Sequence, residues 1–103
     1  MTEPVAEILL EEAEVAARVE TLAKTIAPRI DDDTVVICLL TGGLWFCADL
    51  TRALARTGRH VRFDALWLAS YGDARASLGR CEVRADLQRP LEGRRALIVD
   101  DVI

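Results

Sequence analysis

Basic blocks are missing from this chain. Its 13 lysines and arginines are scattered among 17 acidic residues, for a net charge of -4 over 103 residues. A nucleic-acid surface needs clustered cations, so that class is not suggested. Cysteine is scarce: Cys38, Cys47 and Cys81 are odd in number, and their spacing matches no metal framework. They read as plain buried thiols, which fits a reducing, cytoplasmic compartment. The amino terminus is acidic and lacks a basic-then-apolar signal pattern. No apolar stretch approaches the ~20 residues a membrane span needs. The one histidine, His60, has no acid or nucleophile immediately beside it and reads as a surface residue at a strand start. Trp45 and Trp67 read as core or subunit contacts rather than a base-stacking platform.

What is present is apolar patterning in abundance, with 51% hydrophobic residues. That is enough for the core of one small domain and argues against disorder. Ile8, Val15, Val19, Leu22 and Ile26 recur at helical spacing, which predicts a helix from about residue 5 to 27. Pro4 suits its first turn, Thr2 its cap, and Pro28 its end. Glu14 with Arg18 and Glu20 with Lys24 make i,i+4 pairs on its wet face. Asp31-Asp32-Asp33 is a solvated turn. Thr34 to Leu40 is apolar without alternation, as in a strand buried on both faces. Thr41-Gly42-Gly43 breaks it, and Leu44 to Thr57 returns to helical spacing with Gly58 as its carboxyl cap. Val61 to Ser70 is a second strand, Tyr71 to Gly79 a surface loop, Arg80 to Arg84 a short strand, and Arg95 to Asp100 a last strand. The order is α/β, with residues 1–103 forming part of a single domain and no internal repeat. The last strand should be followed by a helix over the open face of the sheet, so the chain reads as the front half of a larger fold.

Three places carry chemistry. Thr41, Gly42 and Gly43 lie between a strand and a helix, where backbone N–H groups and the helix N-terminus converge on an anion. Asp100 and Asp101 follow an apolar strand in the same manner. Carboxylates there can accept sugar hydroxyls or hold Mg²⁺ through water. Ser70-Tyr71 opens a glycine-bounded loop that suits a closing lid.

Together these pieces resemble the hypoxanthine-guanine phosphoribosyltransferase family. The helix with Ile8, Glu11, Val15 and Arg18-Val19 is similar to the family's first helix. Val36 through Leu50, including Leu40-Thr41-Gly42-Gly43-Leu44, is similar to its pyrophosphate-loop segment. Ser70-Tyr71 matches the dipeptide that opens its mobile loop. Leu91 through Ile103, with Val99-Asp100-Asp101, resembles the approach to its phosphoribosyl-pyrophosphate motif.

The resemblance implies a type I phosphoribosyltransferase-like fold, a parallel sheet flanked by helices, with the carboxyl-terminal half missing from this chain. It implies purine salvage: 5-phosphoribosyl moves from phosphoribosyl pyrophosphate to hypoxanthine or guanine, giving IMP or GMP and pyrophosphate, with Mg²⁺. Thr41, Gly42 and Gly43 would bind pyrophosphate, with a cis peptide between Leu40 and Thr41. Asp100 and Asp101 would hold the ribose hydroxyls and Mg²⁺, and Ser70 and Tyr71 would close over the reacting centre. It also implies a homo-oligomer and no nucleic-acid or membrane partner.

Two residues depart from the pattern. Thr41 stands where many relatives have lysine, and Asp100 where many have glutamate. The family continues past this segment with an aspartate near the purine, a Thr-Gly phosphate turn, a lysine, a stacking aromatic and a further aspartate. The chain alone is therefore expected to be inactive until the other half is supplied, possible sources being a separate chain or a longer gene product. Competing readings are a non-catalytic nucleotide-binding or regulatory protein of the same fold, a pyrimidine-directed relative, and a plain α/β structural fragment.

Overall fold

The computed structural model describes residue 7, residues 9–70 and residues 81–101. Helix α1 spans Glu12–Ile26 and is followed by a 3-10 turn over Ala27–Arg29. Strand β1 is Val35–Leu40, helix α2 Leu44–Arg56, β2 Arg62–Ser70, β3 Cys81–Ala85 and β4 Ala96–Val99. The strands lie in the order β3-β2-β1-β4. β1 runs parallel to both β2 and β4, as expected of a strand buried on both faces. β3 is antiparallel to β2, so the sheet is mixed and not wholly parallel. Antiparallel neighbours need no crossover helix between them.

The core lies between one face of the sheet and the two helices. Val36, Cys38 and Val99 meet Cys47, Leu50, Ala53 and Leu54 of α2 and Ala23 of α1. Leu50 and Leu54 are 2% and 0% exposed. Burial on that scale contributes about 1.5–3 kcal/mol per leucine. Side chains alternate along a strand, so Val35, Ile37, Asp64 and Ile98 belong to the opposite face. There Val35 and Ile37 are buried while Ile98, on the outermost strand among the described residues, is 64% exposed.

Helix α1 differs from its sequence expectation. It starts at Glu12, not near residue 5, after an extended Glu11 with ψ 153° and no side-chain cap. Leu9 and Leu10 before it are exposed, and isolated helical turns without packing are marginal in water. Thr2, Pro4 and Ile8 lie outside the described residues. The buried contact of α1 is Ala23, with Val19 and Ile26 partly buried, whereas Val15 and Leu22 stay exposed. A small residue permits close approach to α2, and the larger residues flank the seam. Glu14 pairs with Arg18 at 3.1 Å as expected, but Glu20 reaches across to Arg56 of α2 instead of pairing along its own helix.

The turn Asp31-Asp32-Asp33 is more than solvated. Asp31 faces Arg95 at 3.6 Å, Asp32 faces Arg59 at 3.5 Å, and Asp33 faces Arg62 at 3.7 Å. One acidic turn thus meets three other parts of the chain at the amino-terminal end of the sheet. His60 is exposed there, with its backbone N–H donated to Asp32. Trp45 is 79% exposed and is not a core residue. Trp67 is partly exposed, with the Arg84 guanidinium 5.7 Å from its ring centre, a cation–π distance. No helix among the described residues is long and apolar enough to cross a membrane.

Candidate phosphate and sugar site at the sheet's carboxyl end

Parallel pairing of β1 with β4 decides the geometry of the site. The register sets Cys38 beside Val99, so both strands leave the sheet side by side at their carboxyl ends. β1 leads into Thr41-Gly42-Gly43, and β4 leads into Asp100-Asp101. The peptide between Leu40 and Thr41 is cis, as the resemblance implied. The turn is closed by Gly43 N–H donating to Leu39 O at 3.0 Å and Leu44 N–H donating to Thr41 O at 3.1 Å. Cys47 N–H then donates to Gly43 O at 2.9 Å, which begins α2.

Both glycines lie at a close approach of the two strand ends. A Cβ on Gly43 would lie 2.9 Å from Val99 O, 3.0 Å from Leu39 O and 3.1 Å from the Cα of Asp100. A Cβ on Gly42 would meet the Asp101 carboxylate, with its Cγ only 2.7 Å away. The glycine turn and the acid pair are therefore one site. Asp101 N–H donates to the Asp100 carboxylate at 2.8 Å, which turns the chain as β4 ends. The N–H groups of Thr41 and Gly42 have no hydrogen-bond partner among the described residues. Helix α2 starts beside them, and its N-terminus favours negative charge.

Ser70 is the last residue of β2, paired in register with Cys81 of β3. Tyr71 and the lid expected after it lie outside the described residues. Two carboxylates at one strand end are hard oxygen donors of the kind Mg²⁺ accepts while keeping water and substrate oxygens as its other ligands. Among the described residues no group of three or more His, Cys, Asp or Glu could hold a metal ion by itself.

Beneath the turn, Cys38 and Cys47 are buried free thiols, as read from the sequence. Burial and the neighbouring Cys38 push the Cys47 thiol up to about 12, while a contact from Thr51 works weakly the other way. The Thr51 hydroxyl is itself buried with no hydrogen bond of good geometry, so that contact is slight. A thiol in that state is not a nucleophile at neutral pH.

The sequence reading passed over Asp64. It is 6% exposed on the face of the sheet away from the helices. Burial pushes its carboxyl pKa up, but N–H groups of Arg89, Ala65 and Gln88 and the charge of Arg89 together hold it below the ordinary value. A lone acid inside a predicted strand was the available signal, since a buried carboxylate needs partners.

A mixed sheet with helix α2 rising from a glycine turn, and an acid pair on the adjoining strand end, defines an α/β protein of the type I phosphoribosyltransferase-like architecture. No protein-family model matches the chain. The hypoxanthine-guanine phosphoribosyltransferase of Aquifex aeolicus is 36% identical over 98 residues, covering 93% of this chain and 53% of that protein. The hypoxanthine phosphoribosyltransferase of Escherichia coli K12 is 33% identical over 100 residues, covering 94% and 54%. Among solved structures, that of the L. donovani hypoxanthine-guanine enzyme superposes with a TM-score of 0.80 at 30% identity, covering 91% of this chain and 58% of its own. A Trypanosoma cruzi hypoxanthine phosphoribosyltransferase variant complexed with the product IMP gives 0.81 at 31% identity, covering 95% and 53%. The chain is homologous along nearly its whole length to the amino-terminal half of the hypoxanthine-guanine phosphoribosyltransferase family. It spans about half the length of the curated relatives it matches.

Proposed function

We propose that this chain supplies the pyrophosphate- and sugar-binding half of a purine-salvage transferase. The reaction moves 5-phosphoribosyl from phosphoribosyl pyrophosphate to hypoxanthine or guanine and yields IMP or GMP and pyrophosphate. The observation that carries this reading is the contact between the two motifs: the Asp101 carboxylate lies against Gly42, and Asp100 against Gly43. The backbone N–H groups of Thr41 and Gly42 bind the pyrophosphate, and the start of α2 stabilises its charge as it leaves. Asp100 and Asp101 accept hydrogen bonds from the ribose hydroxyls and orient the ring. Asp100 and Asp101 are the residues that would hold Mg²⁺, which when bound would offset the negative charge of the acids and the diphosphate.

Ser70 and Tyr71 are assigned to closing the site, which keeps water from an oxocarbenium-like sugar. Thr41 in place of the common lysine leaves the backbone role intact and removes one positive charge. The purine contacts belong to the other half of the protein, so turnover needs the assembled molecule. A homo-oligomer and a cytoplasmic location are part of the same proposal, and the free thiols of Cys38 and Cys47 fit a reducing compartment.

The test is pyrophosphate release from phosphoribosyl pyrophosphate with hypoxanthine, guanine, xanthine or uracil, with and without Mg²⁺. It uses this chain alone and joined to a carboxyl-terminal half. Activity with hypoxanthine or guanine only in the joined, Mg²⁺-containing sample is expected. Inertness with all four bases would favour a nucleotide-binding or regulatory protein of the same fold, and turnover of uracil alone a pyrimidine-directed relative. In the active assembly Asp100→Asn and Asp101→Asn should raise the KM for phosphoribosyl pyrophosphate; unchanged kinetics would remove their assigned role.

A further inference from the structure

β4 delivers two site residues to the carboxyl end of the sheet. It is four residues long and, among the described residues, pairs with β1. Of its side chains Val99 is buried and Ile98 is largely exposed. The link between Arg95 and Asp31 is an exposed ion pair at 3.6 Å, which holds little.

The structure offers one strong tether. The Asp64 carboxylate, near the start of β2, accepts the N–H of Gln88 at 2.9 Å and that of Arg89 at 2.8 Å on one oxygen. Its other oxygen accepts the N–H of Ala65 at 2.8 Å. The Arg89 side chain donates Nε–H to Phe63 O at 2.8 Å, so the same segment is fastened to β2 at two adjacent residues. From Arg89 the chain needs only a turn to reach β4. That turn is closed by Arg94 N–H donating to Leu91 O at 2.9 Å, with Gly93 at φ +74°. Val35 N–H then donates to Arg95 O at 2.9 Å, which sets the β1–β4 register. Five residues after Arg95 come Asp100 and then Asp101. Hydrogen bonds to an ionised acceptor are the strong ones, and a buried carboxylate holds its donors in fixed places.

We propose that Asp64 is a positioning residue: by clamping the segment that feeds β4, it holds Asp100 and Asp101 against the glycine turn. The consequence for catalysis rests on the function proposed above; the clamp itself does not. Asp64→Asn keeps the size of the side chain but removes its charge and one acceptor. Arg89→Ala keeps both backbone donors and removes the bond to Phe63 together with the guanidinium charge near Asp64.

The measurement is amide hydrogen exchange on the chain at a temperature where each variant is still folded. In Asp64→Asn the Val35 amide and the protected amides of β4 should exchange roughly 10–100-fold faster relative to those of Leu50 and Leu54 in α2. Arg89→Ala should show the same pattern with a smaller change. Uniform acceleration through β4 and α2, no acceleration, or an Arg89→Ala effect as large as that of Asp64→Asn would each overturn the clamp. In the joined enzyme, Asp64→Asn should raise the KM for phosphoribosyl pyrophosphate by about tenfold with the purine KM little changed. Equal changes in both would overturn the positioning role. If the unmutated assembly uses no phosphoribosyl pyrophosphate, the functional reading fails while the exchange data still decide the clamp.

Discussion

Alanine at Gly43 and alanine at Gly42 should fail in different ways, and the difference follows from what each new methyl meets. Gly43 has φ -81° and ψ -3°, a conformation alanine adopts without strain, so its cost is purely steric. The methyl would press on Val99 O, Leu39 O and the Cα of Asp100, at 2.9, 3.0 and 3.1 Å. All three are backbone, on two hydrogen-bonded strands, and none can rotate away. Overpacking of this kind costs about 1–3 kcal/mol. For a domain of this size each kcal/mol lowers Tm by roughly 4–8 °C, so Gly43→Ala should melt about 5–20 °C below the parent. At Gly42 the obstacle is the Asp101 carboxylate, the free end of a side chain. It can swing aside, so Gly42→Ala should fold almost normally and lose sugar-phosphate binding instead. Thermal melts of the two variants, followed by circular dichroism, decide the matter. Gly43→Ala melting within about 2 °C of the parent, or Gly42→Ala being the less stable variant, would refute the reasoning.

The Cys47 thiol, pushed up to about 12 from 9.0, should resist alkylation at pH 8 in the folded protein and react once urea unfolds it. Because its folded pKa is raised, the stability linked to it is complete below about pH 9 and declines as pH rises toward 12. Asp64 has the opposite sign: its folded pKa lies below the ordinary value, chiefly because donated N–H bonds and Arg89 outweigh its burial. Its contribution is present above roughly pH 4 and lost as pH falls through the folded value, so Asp64→Asn should flatten the acid limb of a stability-versus-pH curve. Asp32→Asn removes an exposed pair with Arg59 and should cost under about 1 kcal/mol in urea melts at low salt. In 1 M salt that difference should vanish, since the screening length there is about 3 Å. Leu54→Ala, at a fully buried position, should cost about 2–5 kcal/mol in the same melts.

Helix α2 and strands β1 and β2 were legible because their signals are local. An apolar run without alternation marked β1, Gly58 at φ +95° ended α2 as its type suggested, and the glycine turn fell between β1 and α2. The start of α1 was not legible. Periodicity reached back to Ile8, but whether a periodic segment stays helical depends on what covers it. The antiparallel direction of β3 and the exposure of Trp45 also depend on neighbours far along the chain.

The amino-acid order alone determined which residue types stand at the ends of β1 and β4: small residues that bare the backbone at one, carboxylates at the other. Their chemistry is intrinsic to those residue types and survives in any fold. That Gly42 touches Asp101, and that Asp64 fastens Gln88 and Arg89, was decided only in three dimensions. These groups are separated by 59, 24 and 25 residues, and sheet pairing rather than sequence proximity brings them within bonding distance. A hydrogen bond or a van der Waals contact depends on ångströms of separation, which the order of residues does not contain.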